Sequence, residues 1–127
     1  MWIPNLQSTS LRASTSVPSK LRTMQIKTYA FDLDGTLCTL TNGEYETAEP
    51  FTDRIRHVNK LFEEGHTILI FTARGATSNR DLRDFTIEQL KNWGLKYERL
   101  IMGKPHFDLL VDDKAINERE YFQRLRT

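Results

Sequence analysis

After residue 24 the apolar positions of the chain switch between two spacings, one typical of strands and one typical of helices. Residues 67–71 form a continuous run of apolar and β-branched residues, which is typical of a strand covered on both faces of a parallel sheet. Residues 53–64 carry apolar side chains at the helical period and are followed by Gly65, a common helix terminator. In chain order the pattern predicts the strand 28–33, the helix 53–64, the strand 67–71, the helix 79–93, the strands 99–102 and 107–111, and the helix 116–125.

Some details of the helix ends and of one turn are also predicted. Thr52 or Asp53 is expected to cap the first helix, and Gly94 to end the second. The apolar face of the second helix is expected to consist of Leu82, Phe85, Leu90 and Trp93. The dipeptide Asn42-Gly43 between short β-prone segments is a strong hairpin signal, and it predicts a β-hairpin flap after the first strand.

Strands separated by helices imply an α/β fold, because right-handed crossovers return each strand to the same parallel sheet. We therefore expect a minimal Rossmann-like parallel sheet with flanking helices in residues 24–127. A chain of 127 residues with 39% apolar and 28% charged residues has the size and composition of one ordinary globular domain. Its net charge of +1 gives no electrostatic support for a nucleic-acid partner.

The first 23 residues differ in composition from the rest of the chain. They contain no Asp or Glu, carry Arg12, Lys20 and Arg22, and are rich in Ser and Thr. This stretch is expected to be a disordered tail, and it has two interpretations: a transit peptide for a chloroplast or mitochondrion, or an extension translated upstream of a start at Met24. Without a transit peptide we expect a cytoplasmic protein, which the single cysteine, Cys38, fits. No apolar run is long enough to predict a membrane span.

Polar side chains of the types used in catalysis and ligand binding follow each predicted strand. Ligands of parallel α/β sheets bind beyond the carboxyl ends of the strands, so these side chains are expected to share one crevice. Asp32 and Asp34 are one residue apart, and side chains alternate along a strand, so the two carboxylates point to one side and can share a hard cation such as Mg²⁺. The residues at the other strand ends are Thr72, Ala73 and Arg74, then Lys104, then Asp112 and Asp113.

The order of these residues resembles the four motifs of the haloacid dehalogenase-like phosphohydrolases. The motifs correspond to Asp32-Leu33-Asp34-Gly35-Thr36, Thr72, Lys104 and Asp112-Asp113, and the resemblance covers about residues 26–117. It implies a phosphatase that hydrolyses a phosphomonoester through an aspartyl-phosphate intermediate. In that reaction Asp32 is the nucleophile, Asp34 is the general acid and base, and Lys104 and Thr72 bind the phosphoryl oxygens.

The resemblance also implies a Mg²⁺ site formed by Asp32, the backbone carbonyl of Asp34, and the pair Asp112 and Asp113. Adjacent strand residues face opposite ways, so only one of the pair is expected to point at the ion. The resemblance implies that this is Asp113, because related proteins carry a glycine before a single Asp at this strand end, and that Asp112 orients the metal shell or Lys104. Ala73 and Arg74 are the further candidates for substrate contact. For Arg74 the alternative is a surface charge at the start of a helix.

The substrate and the assembly are less constrained. The short spacers after the first two motifs leave no room for the cap domain that usually recognises the leaving group in this family. The resemblance points to small phosphatases of surface-polysaccharide and sugar-phosphate metabolism, and hence to a phosphorylated small molecule. Three alternatives stay open: a polynucleotide or protein phosphatase, a non-catalytic phosphate- or metal-binding module, and a homo-oligomer in which a second copy completes the sheet or the site.

Overall fold

The computed structural model describes residues 25–76 and 80–126, and it has the expected α/β fold in a small form. The predictions for the tail of residues 1–23 lie outside these residues. Three strands and three α-helices alternate along the described chain, with one 3₁₀ turn, Tyr45–Thr47. The elements are β1 (Thr28–Phe31), α1 (Thr52–Glu63), β2 (Thr67–Phe71), α2 (Arg83–Asn92), β3 (Arg99–Ile101) and α3 (Glu118–Arg124).

The three strands form one parallel sheet in the order β1-β2-β3. Strand β2 is central, pairing Leu69 with Ala30 on one side and with Arg99 on the other. It has the bounds that the apolar run predicts, and Ile68 and Ile70 are fully buried. Because all the strands are parallel, their carboxyl ends lie at one edge of the sheet, which is where the candidate residues were expected.

Helix α1 is amphipathic, as predicted. Its buried face consists of Ile55, Val58 and Leu61. The predicted caps, Thr52 and Asp53, are wrong: the capping position belongs to Phe51, whose carbonyl already accepts the hydrogen bond of Ile55 N at 3.0 Å. At the other end Gly65 has a φ of 101°, a conformation that favours glycine and turns the chain towards β2.

Helix α2 begins later than the apolar pattern predicts, at Arg83. The side chain of Asp81 accepts a hydrogen bond from the backbone N–H of Arg83 at 3.2 Å, which satisfies a free donor of the first turn. The predicted face is only partly right, because Phe85 is half-buried and Thr86 is fully buried. A threonine lies in the apolar stripe because its hydroxyl has a buried partner, described with the site below.

The predicted strand 107–111 is wrong. Within the described residues no strand follows β3, and Leu109 and Val111 are 78% and 88% exposed. The chain leaves the sheet through Gly103, whose φ is 77°, and Pro105, which has no N–H to donate to a ladder. An apolar run becomes a strand only where the edge strand of a sheet pairs with it. None of the described strands pairs with residues 107–111.

Helix α3 covers the side of the core next to β1. Asn117 caps it, because its Oδ1 accepts a hydrogen bond from Arg119 N at 2.9 Å. Phe122 is buried against Phe31, with ring centroids 6.4 Å apart, and the guanidinium of Arg54 lies 4.5 Å from the centroid of the Phe122 ring. None of the helices in the described parts of the chain is long and apolar enough to cross a membrane.

The predicted hairpin flap has no strand pair in the structure. Residues 39–47 instead form a loop, which we call the pocket loop, with a turn at Asn42-Gly43 and the 3₁₀ turn after it. Cys38 and Pro50 form one isolated antiparallel bridge at its base, and Thr39 N donates to Glu49 O at 3.0 Å. The segment folds back on itself, as the Asn-Gly signal indicates, without a ladder.

Candidate active site

Asp32 and Asp34 lie on a tight turn that follows β1. The ladder with β2 ends at Phe31, and the chain then turns around Leu33, which is fully buried and whose carbonyl accepts a hydrogen bond from Leu37 N at 2.8 Å. Gly35 has a φ of 87°, a value that an L-residue with a Cβ rarely adopts. The turn anchors Leu33 in the core and leaves the carboxylates on either side of it at the sheet edge.

One pocket of about 400 Å³ collects most of the predicted residues. The pocket loop forms one wall, and residues 105–107 form another. A volume of this size is in the range of small-molecule sites. The predicted site residues that line the pocket are Asp32, Asp34, Thr72, Ala73, Arg74 and Lys104.

Asp32 faces the pocket between a cation and a hydroxyl. Lys104 Nζ lies 3.2 Å from Asp32 Oδ1, and Thr36 Oγ1 donates to Asp32 Oδ2 at 3.1 Å. The Asp32 side chain is 37% exposed, whereas that of Lys104 is 17% exposed. Asp32 is therefore held in place from both of its oxygens and remains open to a ligand.

Asp34 is held much more tightly. Arg74 Nε donates to Asp34 Oδ2 at 2.9 Å and Arg74 Nη2 donates to Oδ1 at 2.8 Å, so the ion pair is bidentate. The thiol of Cys38 lies 3.5 Å from the same Oδ1. Burial, with the Asp34 carboxylate as the next cause, raises the pKa of Cys38 to about 12, so Cys38 stays a thiol at neutral pH.

Thr72 joins the ends of β2 and β3 at the floor of the pocket. Its side chain is buried, and its hydroxyl accepts a hydrogen bond from Arg74 N at 3.1 Å. Its carbonyl accepts from Lys104 N at 2.9 Å, and Gly103 N donates to Arg74 O at 3.1 Å. These backbone bonds place Lys104 opposite Asp32, although the two residues are 72 positions apart in the chain.

The structure does not bring Asp112 and Asp113 to this pocket. Both are exposed; Asp112 Oδ1 accepts from Lys114 N at 3.1 Å, and Lys114 Nζ lies 3.2 Å from Asp113 Oδ2. The Lys114 N–H and then the Asp113 carboxyl hold the pKa of Asp112 below its usual value. In residues 25–76 and 80–126 no three His, Cys, Asp or Glu side chains are grouped closely enough to hold a metal ion. The prediction that Asp112 and Asp113 lie at the pocket depends on the strand 107–111, which is not formed.

Three residues around Arg74 have no signal in the sequence motifs. Arg74 Nη1 donates to Thr86 Oγ1 at 3.1 Å and to Gln89 Oε1 at 2.8 Å, and the Arg74 guanidinium carbon lies 4.4 Å from the centroid of the Tyr45 ring. Thr86 and Gln89 are three positions apart on α2, so they share a face, but a Thr and a Gln at this spacing are common on solvated helices. Their importance becomes visible only once Arg74 is seen to point inward.

Comparison with models of known protein families finds no match, and comparison with the curated proteins finds none either. Among solved structures the chain is similar to the crystal structure of an MCSG target from Vibrio cholerae. The two are 25% identical with a TM-score of 0.64, and the likeness covers 76% of this chain and 87% of the other. This similarity extends over most of both chains and supports the α/β fold described above.

Proposed function

We propose that this protein is a Mg²⁺-dependent phosphatase that hydrolyses a phosphomonoester of a small molecule, a sugar phosphate being the first candidate. One observation carries the proposal: the Asp32 carboxylate, held by Lys104 at 3.2 Å and Thr36 at 3.1 Å, faces a pocket that Asp34 and Thr72 also line. A carboxylate fixed beside a cation can approach a phosphoryl group whose charge that cation offsets. The haloacid dehalogenase-like order of the motifs agrees with this assignment.

In the first step an Asp32 oxygen attacks phosphorus, and the bond from phosphorus to the ester oxygen breaks. The product on the protein is an aspartyl-phosphate, and the leaving alkoxide takes a proton from Asp34. Lys104 Nζ, next to Asp32, can contact a phosphoryl oxygen at the same time. Most of the catalytic effect in such a reaction comes from positioning and charge stabilisation.

In the second step water attacks phosphorus and Asp34 accepts its proton. The bond from phosphorus to Asp32 breaks, which releases inorganic phosphate and restores the Asp32 carboxylate. For the first step one Asp34 oxygen must carry a proton, and both oxygens accept hydrogen bonds from Arg74 in this structure. The orientation of the Arg74 side chain therefore fixes the orientation of the Asp34 carboxyl group, on which proton transfer to the leaving oxygen depends.

The pocket fits a hard divalent cation by its chemistry, since its ligands are carboxylate oxygens. Each oxygen of Asp32 accepts one hydrogen bond and keeps a second lone pair, so Asp32 is the best-placed ligand. The motif resemblance adds the backbone carbonyl of Asp34 as a second ligand. Asp112 and Asp113 lie away from the pocket in this structure, so they would have to move towards it to act as further ligands. When bound, Mg²⁺ offsets negative charge on the nucleophile and on the phosphate.

The size of the pocket supports a small substrate. A volume of about 400 Å³ is at the lower end of the range for small-molecule sites. The pocket loop and Phe107, which is 41% exposed, line the pocket, and in the proposed reaction the leaving group would lie against them. A sugar or similar metabolite would contact these two walls.

The test is phosphate release from a panel of phosphomonoesters, with and without Mg²⁺, by the wild-type chain and by Asp32→Asn. We expect Mg²⁺-dependent release that falls by at least about a thousandfold in Asp32→Asn, because the amide cannot act as the nucleophile. Asp53→Asn, an exposed aspartate on α1, is the matched control and should keep full activity. Folded protein that releases no phosphate from any ester would contradict the proposal and would favour a binding module.

A further inference from the structure

The guanidinium of Arg74 is almost fully engaged inside the protein. Only 1% of the residue is exposed, and its N–H groups donate four hydrogen bonds, to Asp34 twice, to Thr86 and to Gln89. A guanidinium has five N–H donors, so one is left for any other partner. This arrangement therefore favours a role for Arg74 in positioning Asp34 over a role in binding the substrate directly.

Gln89 uses both ends of its side-chain amide. Its Oε1 accepts from Arg74 Nη1 at 2.8 Å, and its Nε2 donates to the backbone carbonyl of Tyr45 at 2.8 Å. A guanidinium offers only donors and a carbonyl only accepts, so one orientation of the amide satisfies both partners. Gln89 thereby links helix α2 to the pocket loop and to Arg74.

Tyr45 completes the connection on the side of the pocket. Its ring packs on the Arg74 guanidinium, with the guanidinium carbon 4.4 Å from the ring centroid, and Tyr45 also lines the pocket. Arg74 is therefore clamped between Asp34, helix α2 and the pocket loop. A shift of the loop or of Gln89 would move the guanidinium and, with it, the carboxylate that it holds at two points.

We infer that Gln89 is a positioning residue: it fixes Arg74, and through Arg74 the orientation of Asp34, and it ties that orientation to the pocket loop. The catalytic part of this inference rests on the proposed phosphatase activity. Gln89 itself does not line the pocket, so its effect reaches the reaction through Arg74. Its loss should affect the step that needs Asp34 as an acid more than the binding of phosphate.

The choice of leaving group separates positioning from a general structural role. The leaving oxygen of an alkyl phosphate needs a proton. The p-nitrophenolate group of p-nitrophenyl phosphate, an aryl ester, leaves readily without one. We expect Gln89→Met to lower kcat/KM for the alkyl ester by about ten- to a hundredfold, a part of what general acid catalysis contributes. For the aryl ester kcat/KM should change less than about threefold, and inhibition by inorganic phosphate should stay the same. The comparison uses kcat/KM because this ratio covers the steps up to departure of the leaving group, whereas kcat also includes the second step, in which Asp34 serves both esters as a base.

Gln89→Glu divides the role of Gln89 in two. It keeps an acceptor for Arg74, and a carboxylate oxygen replaces the donor to Tyr45 O and repels that carbonyl, so the link to the pocket loop is broken while the contact with Arg74 is kept. We expect it to raise KM for both esters more than it changes the ratio of their kcat values. Gln123→Met, at an exposed glutamine of helix α3, is the matched control and should behave as the wild type.

A second readout does not depend on activity. The Arg74 Nε–H group, bonded to Asp34 and buried, should give an NMR signal that exchanges slowly with water, and exchange should become at least about tenfold faster in Gln89→Met. An equal fall of kcat/KM for the two esters in a folded Gln89→Met, or unchanged exchange of Arg74 Nε–H, would overturn the inference. Inactivity of the wild type together with faster exchange in Gln89→Met would instead remove the proposed function and leave the positioning role of Gln89 in place.

Discussion

At the scale of single residues, the buried polar side chains are the ones that determine local geometry. His66 is 3% exposed, and its Nδ1 accepts a hydrogen bond from Lys27 N at 3.0 Å, which joins the residue before β1 to the residue before β2. Arg74 donates a buried hydrogen bond to the hydroxyl of Thr86, so each of these two side chains has a hydrogen-bond partner inside the fold. A buried charge without its partner is costly, about 3–5 kcal/mol, which is why replacing Arg74 itself would test folding before it tested catalysis.

His57 gives the stability of this protein a dependence on pH. It is half-buried on α1 with Nε2 2.8 Å from Tyr121 Oη, and burial, then the nearby Lys60, lowers its pKa below the ordinary 6.5. The folded protein therefore binds this proton less readily than the unfolded chain does. The contribution of His57 is complete above about pH 6.5 and is lost as the pH falls through the folded-state pKa.

We expect the free energy of unfolding of the wild type to fall between about pH 7.5 and about pH 5, and to fall less in His57→Gln. Urea denaturation at a series of pH values measures both slopes. His106→Gln, at an exposed histidine, is the control and should keep the wild-type slope. Equal slopes in the wild type and in His57→Gln would show that His57 does not couple folding to protonation.

At the scale of elements, the parts predicted well are those that the core defines. The bounds of β2 and the buried face of α1 follow from apolar side chains that must be buried in the core, as Ile68 and Val58 are. The strand 107–111 could not be judged in this way, because whether Val111 pairs depends on a neighbouring edge and not on its own neighbours in sequence. Thr86 was missed for a similar reason: its partner is 12 positions away, on another element.

The end of α2 offers a test of backbone conformation alone. Gly94 has a φ of 74°, and a Cβ added there would meet no atom within 4 Å. Leu95 N donates to Leu90 O at 3.1 Å, so this turn closes the helix. We expect Gly94→Ala to lower the free energy of unfolding by about 1–2 kcal/mol, the cost of a left-handed residue with a Cβ, and Gly94→Asn to lower it by less.

Chemical denaturation of the two variants and the wild type checks this prediction. Asparagine is the matched control, because it is larger than alanine and yet tolerates positive φ better. The order of stability should therefore be glycine, asparagine, alanine. A Gly94→Ala variant as stable as the wild type would mean that the turn can adopt another conformation at no cost.

At the scale of the whole molecule, the parallel topology brings most of the site residues together. The predicted residues after β1, β2 and β3 share one pocket because their strands share one sheet edge. Sequence order was enough to predict that, since parallel crossovers leave little freedom. Asp112 and Asp113 follow a segment that pairs with none of the described strands, so topology does not constrain their position.

Mg²⁺ binding should therefore be visible in the stability of the whole domain. A ligand that binds only the folded state stabilises it, by about 2.7 kcal/mol at a hundredfold excess over its Kd. We expect Mg²⁺ to raise Tm for the wild type and not for Asp32→Asn. Asp112→Asn and Asp113→Asn, measured in the same way, show whether either residue contributes a ligand. A Tm that does not respond to Mg²⁺ would remove the metal from the proposed mechanism.

The position of Cys38 gives the protein a built-in probe of its own site. It is the one cysteine of the sequence, it is fully buried, and its sulfur lies 3.5 Å from Asp34 Oδ1. A thiol-specific reagent has a single place to react, and because the thiol is fully buried it can reach that place only when the structure around Cys38 opens. The rate of labelling thus reports how often the site opens, and a ligand that holds the site closed protects the thiol without any engineered label.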